Sequence, residues 1–514
     1  MAPATFRTID YAVMAAYFAV CAAVGWWAGR GQKDTADYFR ASGRMPVWAV
    51  CLSILATETS ALTFCGVPGA AFVGNHTYVQ FIAGSILGRI FVGTIFLSAF
   101  FRLGVTTVYE YLGHRFGPTT RALASLSFLA TRTMADGVRL TAASIVVNAA
   151  TGWDFRVCII LMALLTIAYA VFGGIRSIIW TDVVQFVLFV GGGILALMVI
   201  AGQLKGGLLD AVPEDKMRWL DANLDPTKPF TLWTALIASP ILTFATHGTD
   251  QDLAQRMLTC RGAIEGRRSV ILSGILNVPM VFLFLWVGTA LFAFYAQHPD
   301  PAVQGLSRLP DRIFPYFIVT RMPPGVRGLI LAAVFAAAMS TLSSAIGALT
   351  STATIDLYKR YLRPGRDEAH YLRASRYIAI GVAAGIVAVA MGARRSTSLL
   401  NLGLEIMTYA YGAMLGVFVL GRATSNRGSD RGNVLALIAG VLAVLAIKVN
   451  TTIAWPWFIV VGFAVTLALG ACFRTPEPPR VDGGAADDRA SGPGGGRQEF
   501  ALPGGTEGGM VGAS

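Results

Sequence analysis

The sequence predicts an all-α polytopic membrane protein, and three observations predict it. Of the 514 residues, 55% are hydrophobic and 14% charged, and the mean hydropathy is +0.60. Apolar runs of about 20 residues, enough to cross a hydrocarbon layer of ~30 Å as helix, recur almost to the end. These runs lack a period-two alternation, which argues against a barrel of strands. A soluble chain of this length would divide into several cores separated by polar surface, and no such division is present.

Thirteen spans are expected, centred on residues 10–29, 47–73, 78–101, 121–149, 156–173, 178–201, 232–254, 268–296, 326–355, 374–393, 397–421, 431–448 and 453–472. The first is read as an anchor rather than a signal peptide. It has no basic start and no small-residue cleavage site, and Arg30, Lys33, Arg40 and Arg44 follow it. Arg and Lys gather in alternate loops, at Arg30 to Arg44, Arg102 to Arg121, Arg256 to Arg268, Lys359 to Arg376 and Arg422 to Arg431. This positive-inside bias puts the N-terminus outside and the C-terminus in the cytoplasm of a plasma (inner) membrane protein. It also accounts for the net charge of +12 without nucleic acid. The expected partners are therefore the lipid bilayer and a small-molecule substrate; the sequence assigns no oligomeric state. Six scattered cysteines and five dispersed histidines suggest neither a disulfide framework nor a zinc site. Residues 1–475 are expected to form the transmembrane domain. Residues 476–514, rich in Gly, Pro and charge, are expected to be a disordered cytoplasmic tail.

Ionisable residues inside the spans are the informative minority, because each costs ~2.5–3.5 kcal/mol or more at mid-bilayer unless it meets a partner or water. They are Glu58, Arg89, Arg132, Asp136, Arg139, Asp182, Asp250 and Glu405. The plainer reading of any one is a satisfied interhelical pair, and Arg89 and Arg132 fit it well. Asp182 lies in "SIIWTDVVQFVLF", apolar on both sides. In the ninth span Ala337, Ser340, Thr341 and Ser344 recur at i, i+3, i+4 and i+7 and share one helical face, with Ser343 at its edge. Small residues at such spacing also permit close packing, but a stripe of hydroxyls exceeds that need and suits a hard cation. Two spans carry interruptions. The second reads "SILATETSALTFCGVPGAAF", with a break expected from its hydroxyls and its Gly66/Pro68/Gly69 cluster, and the seventh reads "IASPILTFATHGTDQDLAQR". Broken spans five apart fit two five-helix repeats, roughly 47–201 and 232–421, with a binding site near the midplane.

Four stretches, "DTADYFRASGRMPVWAVCLSILATETSALTFCGVPGAAF", "YAVFGGIRSIIWTDVVQ", "HGTDQDLAQRML" and "GVRGLILAAVFAAAMSTLSSAIGALTSTATIDLYKR", carry a family likeness in the family's order. Over about residues 5 to 475 the chain resembles the sodium:solute symporters, which include bacterial proline and sialic acid transporters and animal sodium–glucose cotransporters. The resemblance implies an inverted five-helix repeat core of the leucine-transporter type and alternating access. It implies a main Na+ site from the carbonyls of Ala56 and Thr59, with Ala337, Ser340 and Thr341. It also implies a second site at Asp182, Ser343 and Ser344, sharing Ser340, and hence two sodium ions per cycle.

By the same resemblance, the substrate sits beside the break of the second span, near Glu58, Ser60, Thr63, Phe81, Asp136, Arg139, Phe244 and His247. Glu58 stands where sialic acid carriers have a hydroxyl and proline carriers an acid, so both a structural bond and a direct role are open to it. The arginine that grips a carboxylate in sialic acid carriers falls at Ala135, with Arg132 and Arg139 each a turn away; Asp136 can neutralise either. The seventh span reads "TFATHGTDQ" where sugar carriers have large aromatics. The expected cargo is a small polar organic solute, with a lean towards a carboxylate. Against a channel or transport-derived sensor stand a site enclosed by one chain and the lack of an appended signalling domain. Against an intramembrane enzyme stands the absence of a GxSxG elbow.

Overall fold

The computed structural model describes residues 6–306, 309–393 and 399–475. The expected tail, 476–514, and the interruption at 394–398 lie outside the described residues. The principal helices are α1 (Thr8–Ala28), α2 (Val47–Glu58), α3 (Ala61–Val73), α4 (Tyr78–Leu103), α5 (Pro118–Thr151), α6 (Phe155–Ala201), α7 (Ser239–Gly248), α8 (Gln251–Met257), α9 (Ala263–Gln297), α10 (Val326–Thr352), α11 (Glu368–Gly392), α12 (Leu399–Ala423), α13 (Asp430–Asn450) and α14 (Pro456–Cys472). Among the described residues, eight helical runs are long and apolar enough to cross a membrane unaided.

The centre of the bundle is α10. Nearly all its residues are buried, and α1, α5, α6 and α11 pack around it. Its alanines at 332, 333, 336, 337 and 338 explain how: without long side chains, neighbouring backbones come close.

The second span breaks as expected, but not where its glycines and proline lie. Thr59 is extended (φ −86°, ψ 90°), and the chain turns by 59° between Val47–Glu58 and Thr63–Val73. The N–H of Ser60 turns to the carbonyl of Glu58, 3.2 Å away, instead of to that of Ala56 four residues back. The Ala56 carbonyl thereby loses its helical donor. Pro68 lies inside α3, beyond the bend. Gly69 and Gly288 have another task there. A Cβ on Gly69 would meet the Pro310 carbonyl oxygen at 2.5 Å, and one on Gly288 the Pro68 carbonyl oxygen at 2.1 Å. The cluster allows close packing; at the break itself Thr57 Oγ donates back to the Ser53 carbonyl at 2.8 Å and Thr59 Oγ to Met280 Sδ at 3.5 Å.

The fifth and sixth spans follow each other without a loop over 47 residues, about 70 Å if straight and far too long for a bilayer. The chain reverses at Gly174 (φ 56°, ψ −163°). Tyr169 and Ser177 both abut Gly25, and Gln185 Nε2 donates to the Tyr169 hydroxyl at 3.4 Å, which a straight helix forbids for residues 16 apart. Only glycine holds that backbone shape cheaply, and a Cβ there would lie 2.6 Å from the Tyr38 carbonyl oxygen. Gly174→Ala is expected to destabilise the protein by at least ~1–3 kcal/mol. Thermal unfolding in detergent checks this: an unchanged midpoint would remove the argument for a reversal at this glycine.

The seventh span breaks at Thr249–Asp250, and the Asp250 side chain caps α8 by accepting from the Asp252 N–H at 2.8 Å. One expectation is corrected as a result. Arg256, counted in the sequence among loop charges, sits in the last turn of α8 and is fully buried.

Candidate functional site

A cavity of about 190 Å³ lies against the break of α2 and α3, between α4, α5, α7 and α9. Thr59, Thr63, Ser85, Asn277 and Thr246 supply uncharged polar groups to its wall, and Met407 of α12 and Leu242 supply apolar ones. An aromatic cluster closes one flank: Phe81 packs on Trp455 (5.8 Å between ring centres) and Phe230 (5.8 Å), with Tyr78 beside it. Of the residues expected at the substrate, Glu58, Thr63, Phe81, Arg139 and His247 line this cavity. Ser60 and Asp136 line a small adjoining void shared with Arg139 and Thr341. Phe244 reaches neither; its ring stacks on Phe96 at 4.7 Å, turned towards α4. Helical spacing within the ten residues of α7 does not reveal which neighbour it faces.

Glu58 is held on the cavity wall by two partners. Arg89 Nη2 donates to both its oxygens at 2.9 and 2.8 Å, and His247 Nε2 stands 2.5 Å from Oε1. Arg89 Nη1 is further anchored on Ser273 at 2.6 Å. The pairing expected for Arg89 is therefore present, with an acid the sequence had not matched to it.

The hydroxyl stripe of α10 faces the broken span. Thr57 and Ser344 hydroxyls lie 3.0 Å apart, and Ser340 Oγ donates to Asp182 Oδ1 at 2.7 Å. The opposite oxygen of Asp182 accepts from Ser53 at 2.5 Å. Thr341 Oγ donates to the Ala337 carbonyl at 3.1 Å and Ser343 Oγ to the Ser340 carbonyl at 3.0 Å, the usual resting bonds of helical hydroxyls. Ala56, Thr59, Ala337, Ser340, Thr341, Ser343, Ser344 and Asp182 are all buried.

The sequence missed an ionic chain running from the cavity to Asp182. Arg132 donates to Asp136 (2.6 Å) and Asp250 (2.8 Å) and bridges to Asp252. Asp136 also accepts from Arg139 at 3.0 Å, while the other Arg139 terminal nitrogen rests 3.0 Å from Met407 Sδ. Arg256 joins Asp252 (2.8 Å) to Asp182 (3.1 Å), donates to Ser53 at 2.9 Å and touches Ser344. Tyr411 donates to Asp250 at 2.6 Å. Counted with every carboxyl ionised, the four acids Asp136, Asp182, Asp250 and Asp252 face the three bases Arg132, Arg139 and Arg256, which leaves one negative charge. With that protonation the buried network is one positive charge short. The available signal in sequence was that Arg132, Asp136, Arg139 and Asp250 all fall inside spans; Asp252 and Arg256 gave none, because they follow the break.

With this geometry in view, comparison with known proteins decides the class. Residues 38–440 match the sodium:solute symporter family. The chain belongs to that family. The symporter is 31% identical over 473 residues to the sodium/sialic acid symporter SiaT of Proteus mirabilis (strain HI4320), covering 89% of this chain and 93% of that protein. It is 27% identical over 461 residues to the human sodium-coupled monocarboxylate transporter 1, covering 87% of this chain and 74% of that protein. Among solved structures, a Na+-coupled sialic acid symporter in a substrate-bound outward-open state, reported to reveal a novel Na+ site, superimposes with TM-score 0.81 at 30% identity, over 91% of this chain and 98% of that one. The transporter Mhp1, in a closed conformation with bromovinylhydantoin bound, shares the fold alone, at TM-score 0.54 and 15% identity over 84% of this chain and 93% of that one. This protein is thus a membrane-embedded, sodium-coupled transporter of a small molecule and not an enzyme.

Proposed function

We propose that this symporter carries a small organic anion inward with sodium by alternating access, through thirteen spans. That count takes α6 as two spans and the α2–α3 pair as one, and adds α5, the α7–α8 region and the short apolar α14 to the runs that cross unaided. Two five-helix repeats, 47–201 and 232–421, make the core of a domain spanning 1–475. The loop charges favour an outside N-terminus and a cytoplasmic C-terminus.

The main Na+ site is assigned to the carbonyls of Ala56, Thr59 and Ala337 and the hydroxyls of Ser340 and Thr341. The observation that carries the assignment is the Ala56 carbonyl, stripped of its helical donor in a buried span that bonds to the α10 stripe through Thr57 and Ser344. A buried carbonyl without its helical donor, on a span bonded to a hydroxyl-bearing face, suits a hard cation. Because the ion spans two elements, it favours the arrangement in which they are close, and that preference is what couples it to cargo. The second ion is assigned to Asp182, Ser340, Ser343 and Ser344. Arg256 contacts Asp182 and Ser344, so this ion requires the guanidinium to withdraw onto Asp252, which it already grips through both the side chain and the backbone carbonyl.

For the cargo, Arg139 is the cavity arginine with donors to spare, since carboxylates occupy Arg89 and Arg132 on several sides. Relatives named for sialic acid, iodide and monocarboxylates all carry anions. Uptake into proteoliposomes should follow an inward sodium gradient and vanish when choline replaces sodium. A thermal-shift screen of small carboxylates, with and without sodium, identifies the cargo. Thr341→Ala is expected to weaken sodium and cargo affinity together, each about tenfold or more, because linkage is reciprocal. A loss in cargo affinity at unchanged sodium affinity would remove Thr341 from the ion site.

A further inference from the structure

We infer that the bundle carries a site for one anionic phospholipid between α1 and the first half of α6, separate from the transport cavity. Two adjoining hollows, joined at Arg30, make it up. The first is an apolar groove of about 340 Å³ walled by Ala22 and Trp26 of α1 and Leu165, Ala168 and Phe172 of α6, with Met339 of α10 at its floor. The second is a polar pocket of about 440 Å³ that collects Arg30, Lys33, Arg44 and Arg176 against the single acid Asp37.

The charge in that pocket is what selects the occupant. All four basic side chains are exposed, and none forms an ion pair among the described residues. Arg30 instead places its Cζ over the Trp26 ring, 3.3 Å from its centre. Asp37 is engaged by the Ser42 hydroxyl. Trp180, on the pocket wall, packs edge-on against Trp27 (6.1 Å) and Trp48 (5.5 Å), a cluster of the kind that sits at headgroup depth. Basic pockets between spans on the cytoplasmic side recognise anionic headgroups, and the loop-charge bias puts this pocket on that side. A free anion would use the pocket and leave the groove empty. A phospholipid fills both, its phosphate over Arg30 and one acyl chain between Trp26 and Phe172, which are 68% and 62% exposed in the bare bundle. The chain would end on Met339, whose carbonyl accepts from Tyr169 at 3.2 Å and which precedes Ser340 of the ion site.

The test uses the full-length protein in detergent, titrated with 1-palmitoyl-2-oleoyl phosphatidylglycerol or the matching phosphatidylcholine. Bound lipid is read by native mass spectrometry and stability by thermal unfolding. One phosphatidylglycerol is expected to be retained at least tenfold more tightly than phosphatidylcholine and to raise the unfolding midpoint. The double variant Arg30→Gln/Arg176→Gln should abolish the preference, and Ala168→Trp, which fills the groove from an exposed position, should abolish retention. Arg363→Gln/Arg366→Gln, at an exposed cluster elsewhere, should change neither. Equal retention of the two lipids, or a preference that survives Arg30→Gln/Arg176→Gln, overturns the site. An equal rise in midpoint with inorganic phosphate alone overturns the lipid and leaves only an anion pocket.

Discussion

Arg132→Met is expected to be the most damaging single substitution in this symporter. The guanidinium bonds three carboxylates at once, on Asp136, Asp250 and Asp252, in a region with almost no exposure. Removing it leaves four acids against the two bases Arg139 and Arg256. Breaking one buried pair by deleting a partner costs roughly 3–5 kcal/mol, mostly the penalty of the charge left behind, and here three charges lose a partner. The measurement is the unfolding midpoint and the yield of monodisperse protein in detergent. Because the damage comes from orphaned acids, adding Asp252→Asn to Arg132→Met should recover part of it, with a coupling of about 1 kcal/mol or more between the two. Additive losses would mean that Arg132 acts through packing and not through charge.

Asp182→Asn should leave the fold intact and change the ion dependence. The amide keeps the shape: its oxygen still accepts from Ser53, and its nitrogen donates to Ser340 once that hydroxyl turns, and Arg256 retains Asp252. What disappears is the single uncompensated negative charge of the network. With two sodium ions per cycle, the Hill coefficient for sodium-driven uptake should fall towards one, and half-saturation should shift upward by about tenfold, equivalent to ~1.4 kcal/mol. A steep dependence that survives the substitution would sink the second ion. A companion variant, Arg256→Gln, tests the competition directly: freeing Asp182 of its guanidinium should lower the sodium needed for half-maximal uptake.

The fold and the ion region were legible to different depths, for physical reasons. Span length and loop charge are one-dimensional signals, so membrane embedding followed from the sequence. The helical period placed Ala337, Ser340, Thr341 and Ser344 on one face of α10, because a face depends only on neighbours three and four residues away. The break of the second span was expected in the right span and around the right residues, Ala56 to Thr59; what the sequence did not show is that its glycines and proline serve packing instead. Gly69 and Gly288 answer to backbones across the bundle, from Pro310 and Pro68, that no local reading contains. Phe244 misled for the same reason: its environment is set by Phe96 on another helix.

What the sequence alone determined is the class: a helical membrane chain, related to sodium:solute symporters, with one hydroxylated helix face and two interrupted spans. Only the tertiary structure decided the partners. It brought Glu58 to Arg89 and His247, 31 and 189 positions along, and joined the Arg132–Asp136–Arg139 cluster, which spacing along one helix already allowed, to Asp252, Arg256 and Asp182 in one ionic chain. Helical periodicity reports which residues share a face, but a charge in lipid is satisfied across helices, where separation along the chain carries no information.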